Sequence, residues 1–551
     1  MMASSSNVLF LTRLKVAKFF YSDCLLTFRK DSRELINFSK RNMNTNLDID
    51  STSDSSDAGG TDLDYKQYTP EEMFDRPPIL RRMSTIDDEQ RVILLLKEIL
   101  SFQDKNISSW IVENKVKSLV LNYKCLLKPH REGYLKVLAT EFSVDHERIF
   151  KAMSQFKDLT PGSAVSLKAE EQLKVVLTPQ YSWLFKFIGR LENGVKFLVD
   201  LRTDVLGMLS EMDSSVPHFI ALQQLNVTLK ELLSLWFSVG FLNLERVTWK
   251  SPCEMLQKIS EYEAVHPVRS WADLKRRVGS YRRCFVYTHS SMPFEPIVVL
   301  HTALSTEIAS SMKGIVQATQ RMSVDANSMA GLMAVGQEIE DPNLVTAAVF
   351  YSITSTQQGL QGIELGNYLI KRVVRELQAE FPRVTQFSSL SPIPNFKNWL
   401  MEKIKLIEKG ETDVGLSLEI WSPILKHVEN WKEIKRHLHN NTWHHDRNLA
   451  SLFEPALMSA CAYYLFKEKR RGAALDNVAN FHLRNGAVMW RLNWMADTSP
   501  RGMTNSCGLM VNYRYFLEDT ENNSRNYLEN KQINASDQIK KLVNEKMTSK
   551  M

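Results

Sequence analysis

Cysteine is scarce and scattered in this chain of 551 residues. The six cysteines, at positions 24, 125, 253, 284, 461 and 507, form no C-x-x-C pair. Their spacing excludes a zinc knuckle and a thioredoxin-like redox motif. So few cysteines in a long chain indicate a reducing compartment, and the spacing alone assigns no disulfide.

The sequence also lacks a long apolar run. The longest, Leu232–Leu244 and Pro455–Phe466, fall short of the roughly 20 residues that a membrane-spanning helix needs. Hydrophobic residues make up 44% and charged residues 24% of the chain. This composition excludes a wholly disordered chain and predicts two or three globular domains.

Net positive charge is nearly absent from the body of the protein. The net charge is +6, but residues 1–42 hold eight basic and three acidic residues and so carry +5 of it. The remainder is almost neutral, which argues against a broad nucleic-acid-binding surface.

Both ends of the chain resemble targeting signals. Residues 1–42 are basic, rich in Ser, Leu and Phe, and poor in acids, as a mitochondrial presequence is; a plain frayed N-terminus is the alternative. The last three residues, Ser549-Lys550-Met551, differ from the peroxisomal Ser-Lys-Leu signal in the final residue. A second start at Met43 would remove the basic segment and leave the C-terminal signal.

Between these ends, the chain divides into three regions that differ in composition and in hydrophobic spacing. Residues 43–69 are polar and acidic and predict a disordered linker. Apolar residues recur at helical spacing over 70–235, which predicts an all-helical domain for packing or oligomerisation. Beyond this, residues 236–551 alternate short β-rich runs with amphipathic stretches, which predicts an α/β domain.

Within that domain the pattern predicts one crossover. Strands are predicted at 284–289 and 297–301 as a hairpin, then a helix over Ala303–Val316 and an irregular excursion at 318–343. A strand over 346–354, a glycine-bearing turn, a helix over Tyr368–Phe381 and a strand over 384–390 follow. Strand, turn, helix and strand form one parallel α/β unit.

The glycine turn is the first candidate site. Gly359, Gly362 and Gly366 lie where the strand gives way to the helix, so free N–H groups and the helix dipole would suit a phosphate. A P-loop is excluded, since no Gly-Lys-Ser/Thr follows, and the spacing is not G-x-G-x-x-G. Packing glycines are the alternative.

Two further candidates are single residues. Ser391 ends the second crossover strand, where α/β sheets place reacting groups, although a structural serine is the common case. His482 precedes an Asn485-Gly486 turn and could transfer protons, or be a buried structural histidine.

Four other histidines, at 437, 439, 444 and 445, resemble a metal cluster. His437 and His439 fall on different faces of a helix, and no HExxH accompanies them. We interpret them as a solvated polar stretch and predict no metal site.

Several longer motifs follow one another in the chain. They are Glu263-Ala-Val-His-Pro-Val268, Lys275-Arg-Arg-Val-Gly279, Tyr281-Arg-Arg-Cys284, Thr356-Gln-Gln-Gly-Leu-Gln-Gly-Ile-Glu-Leu-Gly366, Phe387-Ser-Ser-Leu-Ser-Pro-Ile-Pro394, Val478-Ala-Asn-Phe-His-Leu483 and Asn512-Tyr-Arg-Tyr-Phe-Leu-Glu518. Together and in this order they resemble the malonyl-CoA decarboxylase family from about residue 85 to 535. The excursion at 318–343 looks like an insertion relative to that pattern.

The resemblance implies an α+β multidomain protein: a helical N-terminal domain for self-association, then a catalytic domain with the fold of GNAT acetyltransferases. It implies conversion of malonyl-CoA to acetyl-CoA and carbon dioxide without a metal or other cofactor. Ser391 and His482 match the family's catalytic serine and histidine. The positions that match its substrate pocket and CoA-binding turn are Ser352, Gln361, Gly362, Ile363, Glu364, Leu365, Gly366, Asn367 and Tyr515.

The implied partners are malonyl-CoA and further copies of the chain, with a tetramer as one size, and neither nucleic acid nor membrane. The implied location is the mitochondrial matrix, with peroxisome and cytoplasm as further compartments. Two alternatives remain open from the residues: a CoA-dependent N-acyltransferase on the same fold, and a non-catalytic CoA-binding scaffold.

Overall fold

The computed structural model describes residues 86–103, 105–157, 159–317, 340–363, 365–411 and 414–544. The predicted presequence, the acidic linker and the C-terminal tripeptide lie outside the described residues, as does Glu364. The same holds for the greater part of the excursion at 318–343.

The described residues form two compact units. The first ends at Glu231 and includes Gly359–Gly362, and the second comprises Leu232–Gln358 and the chain from Ile363 onward. The helical reading of the N-terminal region is confirmed over the described residues, with α8 ending just past the unit boundary. Its helices are α1 (Ile86–Leu100), α2 (Ser109–Cys125), α3 (Lys128–Glu141), α4 (His146–Phe156), α5 (Ala164–Val176), α6 (Tyr181–Ile188), α7 (Gly194–Glu211) and α8 (Pro217–Trp236).

The helical unit is held by the apolar faces that its spacing predicts. Leu96, Leu119, Leu135, Leu184 and Leu198, from five different helices, are each at most 1% exposed. Burying a leucine side chain contributes roughly 1.5–3 kcal/mol, so these faces account for much of the unit's stability.

The second unit is a mixed α/β domain around one sheet. Its strands are β1 (Leu242–Val247), β2 (Arg282–His289), β3 (Val298–Ser305), β4 (Ala347–Ser355), β5 (Gln386–Ser389), β6 (Ser391–Pro392), β9 (Val488–Asn493) and β10 (Met510–Tyr515), with a separate pair of β7 (Lys469–Arg470) and β8 (Ala473–Ala474). The order in the sheet is β1-β2-β3-β4-β5-β10-β6, and β9 also pairs with β10.

Besides a short helix at 312–317, the described part of the second unit contains eleven further α-helices. They are α9 (Cys253–Tyr262), α10 (Trp271–Arg277), α11 (Gly366–Glu380), α12 (Phe396–Glu408), α13 (Leu418–Val428), α14 (Trp431–Asn440), α15 (Arg447–Phe466), α16 (Asn477–Arg484), α17 (Pro500–Ser506), α18 (Thr520–Asn530) and α19 (Asp537–Asn544). Helix α15 has the length and apolarity to cross a membrane, but 56% of its most apolar stretch is buried in the fold, as expected of a core helix.

The predicted crossover is confirmed. Strand β4 leads through the glycine turn into α11 and returns as β5, which pairs with β4 in parallel from Ala347↔Gln386 to Phe350↔Ser389. Helix α11 packs one face into the core because its apolar residues recur at helical spacing. The buried residues of this face are Leu369, Ile370, Val373, Val374 and Leu377. The predicted hairpin of β2 and β3 is also confirmed, and every residue of both strands is buried.

The predicted helix over Ala303–Val316 is largely wrong. Ala303, Leu304 and Ser305 continue β3 and pair with β4 residues Val349, Ala348 and Ala347, and helix appears only at 312–317. Pairing with a buried neighbouring strand outweighs the helix propensity of a short Ala- and Leu-containing segment.

Candidate functional site

Ser391 and His482 meet in the second unit. The Ser391 hydroxyl lies 2.9 Å from Nε2 of His482, and Nδ1 of the same ring lies 2.7 Å from the Tyr515 hydroxyl. All three residues are at most 4% exposed. The sequence placed these residues in three separate motifs, and the fold joins them into one hydrogen-bonded chain.

These side chains lie on two strands and one helix. Ser391 opens β6, which pairs with β10 at Val511, and Tyr515 ends β10. His482 lies in α16, whose first turn is capped by Asp476 accepting from the Ala479 N–H at 2.8 Å. The predicted turn after this helix is confirmed at Gly486, whose φ of +80° favours glycine.

Two residues that the sequence analysis did not single out complete the chain. The Ser389 hydroxyl lies 2.8 Å from that of Ser391 and accepts from the Tyr513 N–H at 3.3 Å. The Tyr513 ring stacks on His482 with centroids 4.6 Å apart. The sequence did offer a signal for both residues, because side chains two positions apart on a strand face the same side. Ser389 lies two positions before Ser391, and Tyr513 lies two positions before Tyr515.

Burial sets the protonation state of the free site. It lowers the pKa of His482 to about 3 and raises that of the Tyr515 phenol well above its usual value. At neutral pH the imidazole is therefore neutral and the phenol protonated. The hydrogen bonds are satisfied with the chain directed from Ser389 to Tyr515 or in reverse, so it can move a proton between its ends.

Because the folded pKa of His482 lies below its value of about 6.5 in an unfolded chain, the unfolded state binds the extra proton as pH falls from 6.5 toward 3. This group therefore lowers the free energy of unfolding in that window, by up to about 1.4 kcal/mol per pH unit. We expect the melting temperature to drop more from pH 7 to pH 5 in the protein than in His482→Gln. The exposed-site variant His439→Gln should retain the full drop, and parallel pH dependences in all three would contradict a neutral buried imidazole.

Ser352 lies in a second buried cluster. Its hydroxyl donates to Glu263, 2.8 Å and 2.9 Å from the two carboxylate oxygens, and lies 3.3 Å from the Thr354 hydroxyl. Glu263 also accepts from the N–H groups of Val265 and His266. Glu263 belongs to a motif quoted above but was not predicted as a site residue; its role depends on a partner 89 residues away.

The glycine turn has the backbone that its glycines predict. Gly362 has a φ of +75°, and α11 begins at Gly366, with Asn367 in its first turn. Ile363 and Leu365 are buried. Gln361 accepts a hydrogen bond through its carbonyl.

The histidine-rich stretch lies in and after α14. Among the described residues, no group of three His, Cys, Asp or Glu side chains is arranged to hold an ion. His437 bonds Thr442 at the surface, and His439 is exposed.

The family follows from comparison with known proteins. Residues 240–551 match the model of the malonyl-CoA decarboxylase C-terminal domain, and residues 142–237 match that of its N-terminal domain. The chain belongs to the malonyl-CoA decarboxylase family. The range matched by the C-terminal model includes the excursion at 318–343.

Curated proteins and solved structures are similar to this chain over most of its length. Mitochondrial malonyl-CoA decarboxylase of Anser anser anser is 47% identical over 75% of this chain and 80% of its own length, and that of Mus musculus is 48% identical over 75% and 82%. The crystal structure of malonyl-CoA decarboxylase from Rhodopseudomonas palustris is similar with a TM-score of 0.67 at 30% identity, covering 82% of this chain and 99% of the other. That from Agrobacterium vitis gives 0.66 at 28% identity over the same shares.

Proposed function

We propose that this protein decarboxylates malonyl-CoA to acetyl-CoA and carbon dioxide, with Ser391 and His482 handling the proton. The family membership and the names of relatives about 47% identical support the reaction. The observation that carries the residue roles is the buried chain of Ser391, His482 and Tyr515, because it places a hydroxyl, an imidazole and a phenol in one hydrogen-bonded line.

The chemistry needs an acceptor of electrons and a donor of one proton. When the bond between the α-carbon and the carboxylate breaks, its electron pair moves into the thioester as an enolate and carbon dioxide leaves. The α-carbon then takes one proton, so each turnover consumes one proton from solvent. Hydrogen-bond donors aimed at the enolate oxygen would stabilise it.

His482 is neutral in the free protein, yet the proposal uses it as a proton donor. A malonyl carboxylate hydrogen-bonded to Ser391 would bring a negative charge beside the imidazole and raise its pKa, so the proton is taken up with substrate. The imidazolium then delivers it to the α-carbon, directly or through Ser391, and Tyr515 holds the ring in place through Nδ1.

We assign the remaining predicted residues to substrate binding. The turn Gln361–Asn367 would take the pyrophosphate of CoA, with Glu364 as an orienting carboxylate. Ser352, held by Glu263 near the carboxyl end of β4, would line the acyl pocket together with Tyr515. The scheme assigns no role to a metal or other cofactor.

A GNAT-like fold is part of the proposal. The parallel pairing of β4 and β5 stops at Phe350↔Ser389, while β4 continues to Ser355 and the chain after β5 pairs with β10 through Ser391. Because β4 and β5 separate beyond this pair, a gap between them would accommodate pantetheine, as in acetyltransferases of that fold.

Incubating the purified protein with malonyl-CoA and no acceptor tests the reaction. We expect acetyl-CoA and carbon dioxide in equal amounts. Release of neither product, with acyl transfer on addition of an amine, would favour the acyltransferase alternative. CoA binding without turnover of any kind would favour the scaffold.

We also propose that the protein self-associates through α4 and α5. These two helices pack against each other, and apolar side chains on them are more than half exposed: Phe150, Met153, Val165, Leu167 and Val175. Exposed apolar surface of this kind marks an interaction site, and a second copy of the chain is the occupant that the family resemblance implies.

Light scattering on Phe150→Glu tests this interface. We expect the protein to be an oligomer and the variant to have a smaller molar mass, because a buried glutamate would be unpaired. Leu94→Glu, which changes an equally exposed leucine on α1, is the matched control and should keep the full mass. A monomeric parent protein would contradict the proposal.

The location proposed is the mitochondrial matrix, directed by residues 1–42, since the avian and rodent relatives are named mitochondrial. Starts at Met43, together with the tripeptide 549–551, would send part of the protein to peroxisomes and cytoplasm.

A further inference from the structure

Arg202 in α7 is a buried arginine whose donors all go to neutral amide oxygens. It is 2% exposed. Nε donates to Oδ1 of Asn226 on α8 at 2.9 Å, and the two terminal nitrogens donate to the carbonyls of Gly359 at 2.5 Å and Gln361 at 2.9 Å. One guanidinium therefore holds two alternate peptide groups of the glycine turn, more than 150 residues away in sequence.

This guanidinium remains charged in its buried position. Burial lowers its pKa only to about 10, so it is a cation at neutral pH. Among the ion pairs of the described residues, none joins a carboxylate to Arg202. A buried cation is costly to leave without a counter-charge, so its environment favours an anion nearby.

The turn is fixed tightly on the same helix. A Cβ at Gly359 would lie 1.8 Å from the Val199 carbonyl oxygen, so only glycine allows this approach. Gly362 adopts a φ of +75°, which reverses the local direction of its peptide groups.

The orientation of the two carbonyls determines that of the next two amides. No peptide bond in the described chain is cis, and in a trans peptide the N–H points opposite to the C=O. Since the carbonyls of Gly359 and Gln361 point toward Arg202, the N–H groups of Leu360 and Gly362 point away from it. Leu360 ends the short 3₁₀ helix Gln358–Leu360, whose i→i+3 hydrogen bonds use its N–H. The N–H of Gly362 is the donor that the turn directs away from Arg202, and backbone N–H groups in a turn of this kind bind anions.

We propose that Arg202 is a positioning residue for the pyrophosphate of the CoA ester: it holds the turn so that the Gly362 amide faces the anion, and it adds its own positive potential behind that amide. This inference rests on the proposed function of the turn. It adds a specific residue of the helical unit, outside the sequence motifs, to the recognition of the nucleotide part of the substrate.

Two substrates separate this role from simple structural support. Malonyl-CoA carries the pyrophosphate, whereas malonyl-pantetheine has the same reacting group without it. We expect Arg202→Met to raise the KM for malonyl-CoA by about 10- to 100-fold, as loss of hydrogen bonds from a charged group predicts, with kcat changed less than about threefold. The kcat/KM for malonyl-pantetheine should stay within about twofold of the parent value.

Three further variants keep the test decisive. Arg202→Lys retains the charge without the fork of donors and should recover only part of the loss. Asn226→Ala, at a half-buried position, frees the guanidinium from one partner and should raise KM less than Arg202→Met. Arg131→Met is the matched control, because Arg131 also binds two backbone carbonyls in the helical unit but at Leu126 and Lys124, away from the turn.

Equal losses of kcat/KM for both substrates in Arg202→Met, or no loss for malonyl-CoA, would overturn the proposal. Calorimetry with CoA itself, which needs no turnover, makes this result independent of the decarboxylation assay. A parent protein that binds CoA more tightly than the Arg202→Met variant but releases no carbon dioxide would leave Arg202 in its role and reject the proposed reaction.

Discussion

His482→Ala should lower kcat for malonyl-CoA by about 10²–10⁴-fold, because it removes both the proton donor and the partner of Ser391. The KM should change little, since the CoA moiety is held at the turn from Gln361 to Asn367 and not by the imidazole. Steady-state assays of acetyl-CoA formation measure both constants.

A second buried histidine gives the matched control for this variant. His289 on β2 is 7% exposed and contacts the Trp236 carbonyl and the Ser291 N–H, with no contact to Ser391. His289→Gln should keep kcat within about threefold of the parent value. Full activity in His482→Ala would reject the proton-donor role and leave His482 as a structural residue.

Ser391→Ala combined with His482→Ala should fall little below either single variant. Each single change should cost about 10²–10⁴-fold in kcat, and residues that act as one unit give losses that are far from additive. A double-mutant cycle on kcat measures this coupling directly.

The opposite outcome of the cycle is equally specific. If the losses multiply, Ser391 and His482 contribute independently, and the 2.9 Å contact between them does not carry the proton. Ser389→Ala is an informative third variant. The Ser389 hydroxyl contacts the imidazole only through the Ser391 hydroxyl, so its loss should reduce kcat less.

Local patterns predicted the parts of the fold in which sequence neighbours decide the structure. The crossover of β4, α11 and β5 followed from strand runs, glycines and one apolar helix face, all within about 50 residues. The full length of β3 could not be predicted from local patterns. Ala303–Ser305 take their strand conformation from pairing with β4, which lies some 40 residues further along the chain. The edge strand β1 was not predicted either.

The same distinction applies to the site. Ser391, His482 and Tyr515 were reachable because each lies in a long motif, and the fold brings them together. Ser389 and Tyr513 were missed because their importance depends on which strand face meets the imidazole. Arg202 carries no sequence signal, since an arginine in a helix is ordinarily solvent-facing and only its contacts at Gly359 and Gln361 distinguish it.

Mass spectrometry of the acetyl-CoA formed from malonyl-CoA in D₂O tests the central claim most directly. If the carbon–carbon bond breaks at this site and the α-carbon is then protonated there, acetyl-CoA should appear with one solvent deuterium in its methyl group when the α-hydrogens of malonyl-CoA have not exchanged beforehand. Carbon dioxide should be released in equal amount. Recovery of unchanged malonyl-CoA, or of free CoA and malonate from thioester hydrolysis, would contradict the account.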